Sequence, residues 1–379
     1  MSPGAGRWVD AIAGRHGDRL ADGEPIRVGA LRGEGVGPEL IDAAIAVLTV
    51  ACAGGSNPLQ VEVGPSEPAI GAGALTEVTA EFCRRTFAAG GAVLAGPRGG
   101  RWVYELRQAF DLFCKISPLT RSQAIAPDAG PTWPDRGAGL DVLIVREQAA
   151  GVYQGSWSET DARRDGHLAE HSFAYSSREV HRIVEVGLRL AEARQGRLAV
   201  IVKRGGVPSI SRLWERVAEE AASGTGVASE LLDIDYAAYQ LLREPGSFDV
   251  VVAPNLFGDV LADAGGVLLG SRGLCFGASF DAARAAVYGT NHGSAHDLAG
   301  TDRANPVAQI LVAAAMLRES FALEAEAGAI ESAVTATWRD GWRTDDLAEA
   351  GCRNAGTREF TEHVCERLAV QVEPPRGRR

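Results

Sequence analysis

The apolar positions of this chain fall in short runs rich in Val, Ile and Leu, each closed by glycine or polar residues and followed by a longer stretch with helical spacing. "IRVGAL" (26–31) predicts a first strand, "RGEGVGPE" a glycine-rich turn and "LIDAAIAVLTVAC" a helix. "GAVLAGP", "LDVLIVRE", "RLAVIVK" and "FDVVVAPN" predict further strands, and their unbroken apolar character is that of strands covered on both faces. Strand-then-helix order repeated in this way predicts an α/β architecture. From Gly151 to Ser177, "GVYQGSWSETDARRDGHLAEHSFAYSS", the periodicity fails, which fits either an exposed loop or a β arm at an interface. "SREVHRIVEVGLRLAEAR" then resumes the spacing of an amphipathic helix. Residues 1–25 read as a polar extension without an apolar core of signal-peptide length, and the tail "EPPRGRR" is expected to fray.

Composition narrows the function classes. A chain of 379 residues, 46% apolar and 23% charged, is ordinary for a globular protein and long enough for two domains. Its net charge of -11 weighs against non-specific nucleic-acid binding, and no apolar stretch has the length of a membrane span. An anionic substrate therefore needs a local cationic pocket or a metal, because the field of the whole chain repels it. The cysteines Cys52, Cys83, Cys114, Cys275, Cys352 and Cys365 lack metal-binding spacing, so they read as buried free thiols of a cytoplasmic protein.

The candidate chemistry begins in "NLFGDVLAD" (255–263). On a helix starting near Phe257, Asp259 and Asp263 at i and i+4 share one face and repel each other by a few tenths of a kcal/mol. Either that face is solvated, or a hard cation such as Mg²⁺ or Mn²⁺ turns the repulsion into binding. "LLDIDYAAYQLL" adds Asp235 where an apolar strand meets an apolar helix, as a third ligand or as a helix N-cap.

Five ordered segments carry a family resemblance: "GEGVGPEL", "DLFCKISP", "VREQAAGVYQG", "FDVVVAPNLFGDVLAD" and "HGSAHDLAGTDRANP". From about Ile26 to "GTREF" the chain resembles the isocitrate and 3-isopropylmalate dehydrogenases, metal-dependent β-decarboxylating dehydrogenases. The resemblance implies a two-domain α/β fold with an interdomain active site. Residues 26–112 and 270–379 would form a discontinuous nucleotide-binding domain, and 113–269 an inserted domain for substrate, metal and dimerisation. It further implies Asp235, Asp259 and Asp263 as metal ligands, Tyr153 as catalytic acid, and Arg107 and Arg146 as grips for the departing carboxylate. The implied partners are a small hydroxy acid, NAD and Mg²⁺ or Mn²⁺, in a homodimer whose subunits share active sites, with no nucleic acid and no membrane.

The chain departs from the family pattern at three places. The third arginine is replaced by Ser117; either Lys115, two residues earlier and on the same face of a strand, supplies the charge, or carboxylate binding is weaker or different. The catalytic lysine falls on Lys203 or, without an alignment gap, on Arg204, which could not act as a base because its pKa exceeds about 12. The shortened segment "RGGRWVYEL" puts Arg101, Trp102 and Tyr104 where relatives carry aliphatic residues or Ser and Asn, so Arg101 and Tyr104 join the candidate substrate-binding residues.

For the cofactor, the resemblance points away from "GEGVGPE" and toward His292, Gly293, Ser294, Ala295, Asp297, Leu298 and Asn305. A carboxylate at Asp297 would bind ribose hydroxyls and repel a 2′-phosphate, selecting NAD over NADP. Gly289 replaces an acidic residue that relatives often carry just before this loop. The reaction expected is oxidative decarboxylation of a 3-substituted malate. The alternatives are a tartrate-type or non-decarboxylating hydroxy-acid dehydrogenase, and a non-catalytic regulatory or ligand-binding homologue.

Overall fold

The computed structural model describes residues 7–13, 20–66, 74–124, 139–162, 166–283 and 285–372. The main-sheet strands are β1 (Ile26–Leu31), β2 (Leu59–Val63), β3 (Ala92–Ala95), β4 (Cys114–Thr120) and β5 (Asp141–Glu147), then, after the separate hairpin of β6 (Ser156–Ala162) and β7 (Gly166–Ser172), β8 (Arg197–Val202), β9 (Ala228–Asp233), β10 (Val250–Ala253), β11 (Phe276–Phe280) and β12 (Ala286–Thr290). The helices are α1 (Trp8–Ala13), α2 (Gly37–Cys52), α3 (Glu77–Ala88), α4 (Trp102–Ala109), α5 (Ser177–Glu192), α6 (Pro208–Ala222), α7 (Ile234–Arg243), α8 (Asn255–Leu269), α9 (Val307–Phe321), α10 (Glu324–Arg339) and α11 (Thr357–Val372).

One ten-stranded sheet runs in the order β2-β1-β3-β12-β11-β4-β5-β10-β8-β9. The flanking quartets are internally parallel, whereas β12–β11, β11–β4 and β4–β5 are antiparallel, so the two halves run in opposite directions. The fold is therefore α/β, and β3 and β10 are buried at every position, as their unbroken apolar runs predict.

Local sequence explains where the elements begin. Helix α2 starts at Gly37 rather than Leu40, with Pro38 in its first turn, where a missing N–H costs nothing. The Ser176–Glu179 capping box opens α5. A Cβ on Gly187 would come within 2.2 Å of Val252, so the glycine lets α5 lie directly on β10. The segment from 151 to 177 resolves into the arm: a short turn at Val152–Gln154, then β6 paired antiparallel with exposed β7.

Two expectations require correction. The leader is not merely a polar extension: Trp8 is 1% exposed, Ala11 and Ile12 are buried with it, and α1 docks on the core. Arg189 of α5 donates to the Ala11 carbonyl at 3.0 Å, and the Val9 N–H donates to Glu319 of α9 at 3.3 Å. A six-residue helix is too short for its periodicity to stand out. The helix carrying the acid pair begins at Asn255, not Phe257. The tail "EPPRGRR" lies outside the described residues, as do 1–6 and 14–19 of the leader. No helix among the described residues is long and apolar enough to cross a membrane.

Candidate active site

A cleft of about 240 Å³ opens against the middle of the sheet. Tyr104 and Arg107 reach it from α4, Lys115 from β4, Arg146 from β5 and Asp259 from α8, and His292 and Gly293 close one side. Lys115 and Arg146 are register partners on adjacent antiparallel strands, which brings two cations from distant parts of the chain to one spot.

Asp259 is the hub of this group. Arg146 forms an ion pair with its Oδ1, and the Tyr153 hydroxyl donates to its Oδ2 at 3.0 Å. Burial opposes the Asp259 charge, but Arg146, Lys115, the Tyr153 hydroxyl and Arg107 outweigh it and hold the carboxyl below its usual range. The Tyr153 phenol is pushed up to about 12, first by burial and then by Asp259, so it keeps its proton at neutral pH. The cations crowd one another. Burial, then Arg107 and Arg146, bring the Lys115 ammonium down to about 7; burial, then Arg146, bring Arg107 down to about 9. Removing cations from water beside like charges is favourable only when anions arrive, and this corner of the cleft has the electrostatics of a carboxylate receptor.

The candidate positions are only partly brought together. Ser117 is buried and accepts from Asn291 Nδ2 at 3.1 Å. A Cβ on Gly277 would meet Ser117 Oγ at 2.7 Å and Lys115 Cε at 2.9 Å, so the two share a face as strand geometry requires. Asp263 is paired with Arg272 at 2.9 Å. Asp235, in the first turn of α7, instead accepts from Lys203 Nζ at 2.7 Å, and this hydrogen bond leads the causes that lower its carboxyl and raise the lysine. Arg204 turns to Glu215 at 2.5 Å and Asp233 at 3.3 Å, so the neighbouring basic residues serve different partners. Convergence of three acids within one chain is not observed: among the described residues no three metal-ligating side chains cluster. Asp259 and Asp263 alone offer carboxylate oxygens one helical turn apart, a donor set that suits a hard cation sharing its remaining positions with substrate and water.

The glycine-rich turn has a packing role. Gly33 and Gly35 have φ of 71° and 59°, and a Cβ on Gly35 would lie 1.8 Å from the Ser294 carbonyl oxygen. That carbonyl accepts from Val36 N–H at 2.9 Å, which fixes the candidate nucleotide loop to the start of α2. At the end of β12 and in the loop after it, Thr290 Oγ1, Asn291 Oδ1 and Ser294 Oγ are buried without hydrogen-bond partners, an arrangement that suits a polar ligand. The imidazole of His292 is held down mainly by burial, Ala295 has φ of 41°, Asp297 is exposed, and Leu298 packs beside Val36 and Leu40. Asn305 is already engaged: its amide donates to Asp346 at 3.0 Å, and its oxygen accepts from Val307 N–H at 3.0 Å. A Cβ at Gly289 would lie 2.7 Å from the Ala95 carbonyl oxygen, so this backbone leaves no room for a side chain there.

Sequence reasoning missed Asn255. Fully buried, it accepts from Arg146 Nε at 3.0 Å and Nη2 at 2.8 Å while donating to the Ala150 carbonyl at 2.6 Å, which fixes the guanidinium toward Asp259. The available signal was an asparagine at the strand-to-helix junction. Arg101, a candidate substrate-binding residue, is not among the cleft-lining residues; its guanidinium donates to the Tyr153 carbonyl.

The family model described as isocitrate/isopropylmalate dehydrogenase matches residues 27–364. A 3-isopropylmalate dehydrogenase of Heyndrickxia coagulans is 35% identical over 368 residues, covering 93% of this chain and 99% of the relative. One from Aquifex aeolicus is 33% identical over 363 residues, covering 90% and 97%. Among solved structures, isocitrate dehydrogenase from Methylococcus capsulatus aligns with a TM-score of 0.79 at 27% identity, covering 91% of this chain and 99% of that one.

Proposed function

The chain belongs to the isocitrate/isopropylmalate dehydrogenase family, and on that premise we propose that it oxidatively decarboxylates a 3-substituted malate with NAD and Mg²⁺ or Mn²⁺. The observation that carries this reading is Tyr153 hydrogen-bonded to Asp259 beside the cationic group of Arg107, Lys115 and Arg146. We further propose a discontinuous domain of 26–112 and 270–379 after the 1–25 extension, an inserted domain of 113–269, and a cleft between them. The working form is a cytoplasmic homodimer; six cysteines without a disulfide suit a reducing compartment.

In this scheme Asp259 and Asp263, with Asp235 of the partner subunit, hold the divalent cation, and the loop from His292 to Leu298 holds NAD. When bound, the cation supplies Lewis-acid polarisation of the C2 oxygen and the nicotinamide accepts the hydride. Arg107 and Arg146 orient the substrate carboxylates as fork-shaped donors, and Lys115 replaces the missing arginine with a point charge. Lys203 of the partner subunit would accept the C2 hydroxyl proton once its hydrogen bond to Asp235, which holds the ammonium protonated, gives way. Tyr153 Oη–H then protonates C3 after CO₂ leaves, a role suited to a phenol that retains its proton at neutral pH. Trp102, Val103 and Tyr104 line the cleft and in this scheme would face the C3 substituent.

A second reading, oxidation without decarboxylation on a tartrate-like acid, draws on Ser117 standing in the arginine position and bound to Asn291. A non-catalytic role, which the altered lysine segment would permit, is disfavoured because Tyr153, Asp235, Asp259 and Asp263 are all present. The test is a substrate screen: purified protein, NAD and Mg²⁺ with 3-isopropylmalate, isocitrate, homoisocitrate, tartrate and phosphonomethylmalate, followed by NADH absorbance. A 3-substituted malate is expected to give the largest kcat/KM; turnover of tartrate alone would select the second reading, and none with any acid the non-catalytic one.

A further inference from the structure

The short turn Val152–Gln154 that presents Tyr153 is gripped by side chains from two other parts of the chain. From β7, the His171 ring hydrogen-bonds the Val152 carbonyl at 2.6 Å. Gln154 Nε2 donates to the Tyr104 carbonyl of α4 at 3.1 Å. Arg101 Nη1 donates to the carbonyl of Tyr153 itself at 3.0 Å, across 52 residues of sequence.

Arg101 is well placed to be rigid. It stands at the start of α4, where its carbonyl accepts from the N–H groups of Tyr104 and Glu105 at 3.0 Å, so its backbone is tied into the first turn. Its guanidinium carbon lies 5.0 Å from the Tyr104 ring centre and 4.7 Å from that of Trp157 on β6, within range for cation–π attraction to both. The Tyr104 ring in turn packs 5.2 Å from the Tyr153 ring. Arg101 thus links α4, the tyrosine turn and the arm at one point. A guanidinium suits this place because its planar group can stack while donating in its own plane, which an ammonium cannot do.

We infer that Arg101 is a positioning residue: it clasps α4 to the arm and fixes the Tyr153 phenol toward Asp259 and the cleft, rather than gripping substrate. The reading of Tyr153 as catalytic acid underlies the kinetic half of this inference. Geometry is the mechanism, since a displacement of about 1 Å can cost on the order of 10²-fold in rate.

The experiment compares the wild-type dimer with Arg101→Met, Arg101→Lys and Trp157→Ala in two measurements. In the first, 3-fluorotyrosine replaces Tyr153 and its ¹⁹F resonance is recorded without substrate. The wild type should give one narrow line; Arg101→Met should broaden or split it, and Trp157→Ala should do so less. In the second, kinetics with 3-isopropylmalate, NAD and Mg²⁺ should show kcat reduced about tenfold or more in Arg101→Met with KM nearly unchanged, and Arg101→Lys should restore part of kcat. An unaltered ¹⁹F line in a folded Arg101→Met protein would overturn the clasp. A raised KM at constant kcat would overturn the positioning role and assign Arg101 to substrate. Absence of wild-type turnover would count against the proposed reaction, and the ¹⁹F result would then decide the clasp.

Discussion

Asp259 has two kinds of partner at once, a guanidinium and a phenol, and its carboxylate organises both. Asp259→Asn keeps the shape but removes the charge. We predict loss of Mg²⁺-dependent turnover by about 10²-fold or more, with circular dichroism unchanged, because a neutral amide is a poor ligand for a hard cation and a poor partner for Arg146. Isothermal titration with Mn²⁺ should show weakened binding, and undiminished affinity would remove Asp259 from the ligand set. The choice between Lys203 and Arg204 is sharpened by their partners: Lys203 faces the candidate ligand Asp235, whereas Arg204 is engaged by Glu215 and Asp233. Lys203→Met should lower kcat by about 10²-fold while NADH still binds, the range for lost acid–base catalysis. Arg204→Met should leave kcat within a small factor, and the reverse pattern in steady-state kinetics would exchange the two assignments.

At the scale of elements, α1 ties itself to two helices through few contacts, and Glu319 is the most sensitive of them. Its carboxyl is pushed up to about 8 by burial, against the backbone N–H groups of Val9 and Trp8 and the charges of Arg318 and Arg7. The folded chain therefore holds this proton more tightly than the unfolded chain. Its contribution to stability is complete below the ordinary value of 4.5 and is lost as pH rises through about 8. Glu319→Gln should flatten that decline, measured as urea unfolding free energies at intervals between pH 5 and 9. An identical slope in both proteins would exclude Glu319 as its source. What the sequence made legible at this scale were elements with long, unmixed patterns: β5, β8 and β10 as buried runs, α5 as an amphipathic helix. Helix α1 escaped because its burial depends on α5 and α9, which lie far along the chain. The site divides similarly. Tyr153, Arg146 and Asp259 sit in extended motifs that the family resemblance singles out, and the structure brings the three into contact. Asn255 and Arg101 act on residues 109 and 52 positions away, and nothing local announces such pairings.

At the scale of the whole molecule, Lys203 and Asp235 pair with each other and are not among the residues that line the cleft, so the proposed homodimer with shared sites can be tested through them. Tyr153→Phe and Lys203→Met dimers, each weakly active, should complement when their subunits are exchanged. A two-fold dimer with shared sites would leave one mixed site free of both changes, recovering up to about a quarter of wild-type activity. No recovery despite verified exchange would place both residues of each site on one subunit. The reaction itself is tested most directly by stoichiometry. With NAD, Mg²⁺ and the best malate from the screen, NADH measured by absorbance and CO₂ measured by trapping should appear in equal amounts throughout turnover. NADH formation without CO₂ would contradict oxidative decarboxylation and leave a hydroxy-acid dehydrogenase that stops after hydride transfer.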